Sequence, residues 1–291
     1  MIRLVGFFVG LGFAAVVLLS FVMGAYNQIT EPAAETAERA FHEEAHNPRG
    51  GYSFDGLFPQ WDVAQLQRGY QVYKEVCSAC HSLNQVSLRN LSQLGYTEDE
   101  VKAEAASWTV PGIDPNTGEA STRPGLPIDE FPSPYPNTVA AQAANNNAIP
   151  PDLSLMAKAR HHGSAYIYSL LTGYTDPTTY TNEDGERFAE DFPDSMPGAG
   201  LHFNPYFANL NLAMAPPLTN TGQVTYADGT EATVPQMSKD VAAFLTWAAE
   251  PSLVDRVRMG WIVMGFLLFV TILAWLAKKQ VWAAVKPKRK D

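Results

Sequence analysis

Two cysteines with two residues between them, and a histidine directly behind the second, give the spacing C-x-x-C-H over Cys77-Ser78-Ala79-Cys80-His81. Thiols so spaced can add across the two vinyl groups of a haem, and the imidazole behind them is placed to ligate the iron from one face. The chain has only 2 cysteines, and both lie here. No disulfide framework competes for them, and no second C-x-x-C completes a tetrahedral zinc site. A Cys77–Cys80 redox dithiol is the main rival, but that motif does not require His81 behind it.

A haem iron held by one histidine stays five-coordinate or takes a second ligand. The candidates are Met156, Met196, Met214, Met237, His161, His162 and His202. Met214 stands out because Ala215-Pro216-Pro217 follows it, and prolines with fixed φ can hold a sulfur in position without a helix. Met196-Pro197 is the nearest competitor, and any one methionine can equally fill a gap in a core. An open sixth position would instead suit a peroxidase or an oxygen-binding haem protein. His42 and His46, at i, i+4 spacing, could bind a metal, although such a pair is more often just solvated.

These groups need elements to position them. Val63, Leu66, Tyr70 and Tyr73 recur at helical steps and predict a helix over 63–76 that delivers the chain to Cys77. From Trp108 to Pro151 prolines recur and the stretch reads as loop; Phe131, Tyr135 and Ile149 suggest that it packs onto something, for which a haem would serve. A helix is expected over 152–171, then a second loop region from Thr175 to Pro205. Alternation around Asp228-Gly229 predicts a hairpin over 224–234. A helix from a Ser238 N-cap to Glu250 follows, ended by Pro251.

The two ends differ from the middle. Leu4 to Ala25 is 22 residues without a charge and Met259 to Ala277 is 19. Either could cross a bilayer core of roughly 30 Å at about 1.5 Å per helical residue. Lys278, Lys279, Lys286, Lys288, Arg289 and Lys290 follow the second run, marking its cytoplasmic side. The first run lacks an A-x-A cleavage site and is longer than a signal-peptide h-region, so it is expected to stay as a second span; the alternative is a signal peptide cut near Gly24.

Of 20 Lys and Arg, eight lie from Asp255 onward, and of 30 Asp and Glu, two do. That leaves 12 basic and 28 acidic residues in 1–254, a difference of −16. Such a balance excludes a nucleic-acid footprint and suits a basic protein partner.

Several strings carry a family resemblance. Cys77 to His81, Phe131-Pro-Ser-Pro-Tyr-Pro-Asn137, Ala144-Asn-Asn-Asn-Ala-Ile-Pro-Pro-Asp-Leu-Ser154 and Ser169-Leu-Leu-Thr-Gly-Tyr174 resemble the cytochrome c1 family. So do Phe203-Asn-Pro-Tyr-Phe207, Met214-Ala-Pro-Pro217 and Ala249-Glu-Pro251 before an Arg-flanked span. The match runs in order from about Tyr52 to the C-terminus, leaving residues 1–50 outside it.

The resemblance implies one covalent haem c, with thioethers at Cys77 and Cys80 and axial ligands His81 and Met214. Arg160 and Tyr166 would lie by the haem propionates. Asn145, Pro150, Pro151, Phe207, Leu212 and Pro217 match pocket-lining positions. Some bacterial relatives carry an extra cysteine pair near the methionine loop. This chain has none, so packing must hold that loop.

The implied function is one-electron transfer from a Rieske iron–sulfur protein to a cytochrome c, with no bond chemistry on this chain. Its setting is a dimeric complex with cytochrome b, ubiquinol–cytochrome c reductase. The acidic runs Glu98, Asp99, Glu100 and Glu183, Asp184, Glu186, Glu190, Asp191 are candidate patches for a basic cytochrome c. The expected fold is mainly α, a class I cytochrome c-like haem domain with long loops and a small hairpin. The expected order is a span or signal peptide at 1–25, a tether at 26–51, the periplasmic haem domain at 52–254, an anchor in the bacterial inner membrane at 255–278 and a cytoplasmic tail at 279–291.

Overall fold

The computed structural model describes residues 2–31 and 34–285. Lys286, Lys288, Arg289 and Lys290 of the expected tail lie outside the described residues. In chain order the helices are α1 (Ile2–Thr30), α2 (Ala37–Phe41), α3 (Val63–Glu75), α4 (Glu98–Ala106) and α5 (Thr138–Ala144), then α6 (Met156–Ala159), α7 (Ser164–Thr172), α8 (Phe188–Asp191), α9 (Val234–Ala249) and α10 (Leu253–Ala283). There are also two antiparallel pairs, β1 (Thr109–Ile113) with β2 (Ala120–Pro124) and β3 (His202–Phe203) with β4 (Asn211–Leu212).

The part of the chain between the two long helices is organised around the crossing of α3 and α9. Asp62 caps α3 by accepting from the Gln65 N–H at 3.1 Å, and the helix buries Leu66, Gly69, Tyr70 and Tyr73. Helix α9 buries Met237, Val241, Phe244 and Leu245 in the same cluster. Gly69 sits where the backbones meet: a Cβ there would lie 2.1 Å from the Asp240 carbonyl oxygen. Only a hydrogen side chain lets the helices approach so closely. Beside it, Asp240 is fully buried and takes Arg68 Nε at 2.9 Å, Gln65 Nε2 at 3.0 Å and Gln236 Nε2 at 2.8 Å. A buried carboxylate so fully satisfied fixes the rotation of one helix on the other.

Several boundaries differ from the sequence expectation. Helix α9 starts four residues before Ser238, capped by Thr233 and with Pro235 in its first turn, where a missing N–H costs no hydrogen bond. The helix expected over 152–171 is broken into α6 and α7, because His162 (φ 64°) and Gly163 (φ 51°) are left-handed. The hairpin expected over 224–234 is absent. Val224, Tyr226 and Ala232 are each buried in the main core, and Asp228 closes a local turn while pairing with Arg68, leaving no ladder. A hairpin forms instead within the proline-rich stretch, in register from Thr109↔Pro124 to Ile113↔Ala120.

The stretch 26–51, expected as a tether, is docked from α2 onward. Ala37 and Phe41 are buried in a second cluster with Phe188, Phe203 and Leu210. The Glu43 N–H donates to Pro205 O at 2.9 Å. His46, expected to be solvated, bonds through both its N–H and its ring Nδ1 to Ser169 Oγ.

Helices α1 and α10 have 29 and 31 residues and bury nothing within their apolar windows. Each is long and apolar enough to cross a membrane.

Candidate functional site

Helix α3 ends at Glu75, and one 3₁₀ turn over Cys77–Ala79 folds the motif back on itself. The N–H groups of Cys80 and His81 both donate to the Cys77 carbonyl, at 3.1 and 2.9 Å. This turn presents both thiols at the helix end: Cys77 is half-buried and Cys80 exposed. Burial pushes the Cys77 thiol up to about 12. A redox dithiol uses the opposite shift, towards thiolate, so the direction at Cys77 speaks against that rival reading.

The His81 ring is oriented by its Nδ1, which lies 2.8 Å from the Pro151 carbonyl oxygen. A carbonyl can only accept, so Nδ1 carries the proton and Nε2 keeps a free lone pair. Burial lowers the imidazole pKa, with the Pro151 bond and Asp152 pulling back upward. The ring is thus held as the neutral tautomer that metal ligation needs.

Pro151 is positioned by the next residue. Asp152 accepts from Ser82 Oγ and Asn84 N, both at 2.8 Å, and from Ser154 N at 2.9 Å. The chain reaches this point through Asn146 and Asn147, whose positive φ of 50° and 62° make a sharp turn that asparagine tolerates. Asn145 itself spends its amide on Ala141 O at 2.7 Å. A cleft of about 260 Å³ lies against Cys80, lined also by Tyr135, Ala141, Ile149 and Pro150.

The candidate sixth ligands separate by what already occupies them. Met237 is fully buried in α9, Met156 packs on the main cluster and Met196 on the second. His161 and His162 are exposed, with ring centroids 4.1 Å apart. Met214 is half-buried and belongs to neither cluster. Its backbone carbonyl accepts from the Tyr174 hydroxyl at 3.0 Å. The loop beyond it is held by Gln223, whose Nε2 donates to Pro217 O at 2.7 Å.

Arg160 is exposed and lies near Tyr166, tempering the upward shift that burial imposes on that phenol. Tyr166 in turn neighbours Tyr174, which bonds Met214. The structure therefore links Arg160, Tyr166, Tyr174 and Met214 in one chain of neighbours. Leu212 is buried in β4, while Phe207 and Pro217 are half-buried. The acidic runs lie on separate elements, Glu98–Glu100 opening α4 and Glu183–Asp191 reaching into α8, and all eight residues are exposed.

Two thiols ending a helix and a neutral imidazole with Nε2 free fit the attachment of a haem c, and Met214 carries a thioether that neither core occupies. Sequence reasoning missed Tyr174, Asp152 and the backbone role of Pro151. Only Asp152 left a signal, as a lone acid behind a proline pair.

Comparison with known proteins agrees. The family model described as "Cytochrome C1 family" matches residues 52–285. Cytochrome c1 of Rhodospirillum rubrum is 45% identical over 243 residues, covering 81% of this chain and 87% of that protein. The mitochondrial cytochrome c1-2 haem protein of Solanum tuberosum is 44% identical over 234 residues, or 80% of this chain and 84% of that one. A protein named cytochrome b/c1 from Bradyrhizobium diazoefficiens is 41% identical over 251 residues, 83% of this chain and 36% of its own length. The chain belongs to the cytochrome c1 family, whose members carry one covalently bound haem c.

Proposed function

We propose that this chain relays single electrons from a Rieske iron–sulfur protein to a cytochrome c, using a haem c attached at Cys77 and Cys80 and ligated by His81 and Met214. Its family makes it the electron-transfer haem subunit of the cytochrome bc1 complex, with no catalysis of its own. The fused name cytochrome b/c1 of one relative supports cytochrome b as a direct partner. Two helices long and apolar enough to span make it a membrane-anchored protein.

The observation that carries the reading is the His81 Nδ1–Pro151 O contact of 2.8 Å, which leaves Nε2 free to take a ligand. Bound there, the haem supplies a one-electron iron couple whose potential histidine–methionine ligation raises. The chain's own groups set its surroundings. His81 stays neutral, and the Tyr174 hydroxyl fixes the backbone that presents the Met214 sulfur. Arg160 offers a positive charge to a propionate, and Leu212 with the prolines at 150, 151 and 217 limits water access. Asn145 and Phe207 complete the lining.

The remaining assignments belong to the same proposal. The complex is a dimer, the haem domain faces the periplasm, and the C-terminus of α10 faces the cytoplasm. Helix α1 stays attached as a second span; intact mass of the purified subunit checks this, and a mature chain starting near Ala25 contradicts it.

Optical redox titration of the purified chain tests the site. Haem retained through acid–acetone extraction, with a low-spin ferrous spectrum unchanged by carbon monoxide, is expected. Extractable haem, or a ferrous form that binds carbon monoxide, would overturn the attachment or the sixth ligand respectively.

A further inference from the structure

The loop over Gly56-Leu57-Phe58-Pro59 turns apolar side chains outward. Phe58 is 86% exposed and Leu57 62%, although neighbouring Phe54 is buried and stacks on Tyr52. Two contacts tie this region to the root of α10. The Trp261 indole N–H donates to Leu57 O at 2.9 Å, and the Trp61 indole N–H to Pro251 O at 3.3 Å.

Those contacts fix the depth of the loop. The uncharged run of α10 covers Met259 to Ala277, 19 residues, which at about 1.5 Å each is ~28 Å and matches a hydrocarbon core of roughly 30 Å. Trp261 lies two residues inside that run, about 3 Å along the axis. Arg256 and Arg258 stand within one turn before the run, where headgroups lie. At the far end, Lys279 sits over the Trp275 ring, 3.9 Å from its centroid, as interfacial pairs do. Trp261 therefore marks one edge of the hydrocarbon, and the Leu57 backbone is bonded to it.

We infer that Leu57 and Phe58 insert into the lipid interface as a membrane contact made by the haem domain itself, beside the α10 anchor. Spanning helices joined to a domain only through its chain ends leave it free to tilt on the membrane. A contact carried on the loop just before α3 restricts that freedom and fixes which face of the haem domain is turned away from the membrane. The occupant is phospholipid, because the loop sits at the hydrocarbon edge, presents a leucine and a phenylalanine, and carries no basic side chain for an acidic protein. Burial of two such side chains in an apolar phase is favourable, where exposure to water is not.

The inference rests on α10 spanning the bilayer, and the test separates the two. A photoreactive diazirine residue replaces Phe58, Phe266 in mid-α10, or Ile113 on the exposed β1 strand, in the full chain within its membrane complex. The complex is reconstituted in phosphatidylcholine–phosphatidylglycerol vesicles, irradiated and analysed by mass spectrometry. Lipid adducts at positions 58 and 266, and none at 113, are expected. Adducts at 266 without any at 58 overturn the inference, as does crosslinking of position 58 to another polypeptide, which would mean that a protein covers the loop. Absence of lipid at 266 removes the span and the inference with it. Phe58 is so exposed that its replacement leaves folding intact.

Discussion

The ring of Phe41 meets that of Phe188 edge-on, with centroids 5.3 Å apart and planes at 74°. This contact brings the N-terminal segment to the cluster from which the Met214 loop leaves. Phe188 lies 4.5 Å from Phe203, whose strand β3 pairs with β4, and β4 ends two residues before Met214. With no cysteine outside the C-x-x-C-H motif, this aromatic cluster does what a crosslink would do. Truncating a fully buried phenylalanine typically costs ~3–5 kcal/mol.

Phe41→Ala is therefore expected to keep haem covalently bound but loosen the methionine loop, so that carbon monoxide binds a fraction of the ferrous protein. Met214→Leu should give full carbon monoxide binding and a lowered potential. Met196→Leu, a volume-conserving change in the same cluster, should give neither. A Phe41→Ala protein that melts earlier yet refuses carbon monoxide would uncouple the cluster from the ligand loop.

Features written in side-chain identity were the legible ones: the C-x-x-C-H motif with the family strings around it, the helix leading into it and the two long apolar helices. Features that depend on backbone atoms or on distant packing were not. The Pro151 carbonyl that orients His81 leaves no trace in residue type. Phe41 lies in a polar, acid-rich segment that reads as linker, and its partners are well over a hundred residues away. The hairpin was misplaced because alternation in Val224–Val234 reflects separate insertions into the core, whereas β1 and β2 are interrupted by prolines and look like loop. Asp240 was detectable in principle, as a carboxylate on the apolar face of α9 that only a buried partner could explain.

The crossing of α3 and α9 gives a stability prediction. Gly69→Ala places a Cβ 2.1 Å from Asp240 O and 2.7 Å from Phe244 Cβ, so the helices must separate. A loss of about 1–3 kcal/mol follows from such overpacking. Asp240→Ala leaves Arg68, whose side chain is 15% exposed, without its buried partner and should cost ~3–5 kcal/mol. Thermal melting of the detergent-solubilised protein measures both. An unchanged midpoint for Gly69→Ala would mean that the crossing is looser than described.

Acid sensitivity should pass through Glu104. Burial works to raise its pKa, but hydrogen bonds from Lys74 Nζ, at 2.5 Å, and from the Tyr70 hydroxyl outweigh it and hold the carboxyl below its ordinary 4.5. A folded-state value below the unfolded one means that the folded chain resists protonation. The resulting stabilisation is complete above the unfolded pKa and is lost as pH falls from about 4.5 through the folded value. Glu104→Gln should lower stability at neutral pH and flatten the decline below pH 4.5. If wild type and variant lose stability in parallel there, another carboxylate carries the acid response.

The two acidic patches differ in how much charge they leave free. At the start of α4, Lys102 pairs with Glu98 at 2.9 Å and Asp99 at 3.4 Å, and Glu100 caps the helix through the Thr97 N–H at 2.7 Å. Much of that field is therefore answered locally. In the second patch Arg187 pairs with Glu190, but Glu183 and Asp184 make no ion pair among the described residues. A basic cytochrome c should thus be drawn more strongly to the second patch. Exposed charges are screened over a Debye length of about 8 Å at physiological ionic strength, so encounter should slow steeply as salt rises. Stopped-flow electron transfer to a basic cytochrome c, followed across a salt series, reads this directly. Glu183→Lys with Asp184→Lys should cut the low-salt rate and flatten its salt dependence more than Glu98→Lys with Asp99→Lys. The reverse order would move the docking surface to α4, and salt-independent rates for the unmodified protein would mean an acceptor held by apolar contacts.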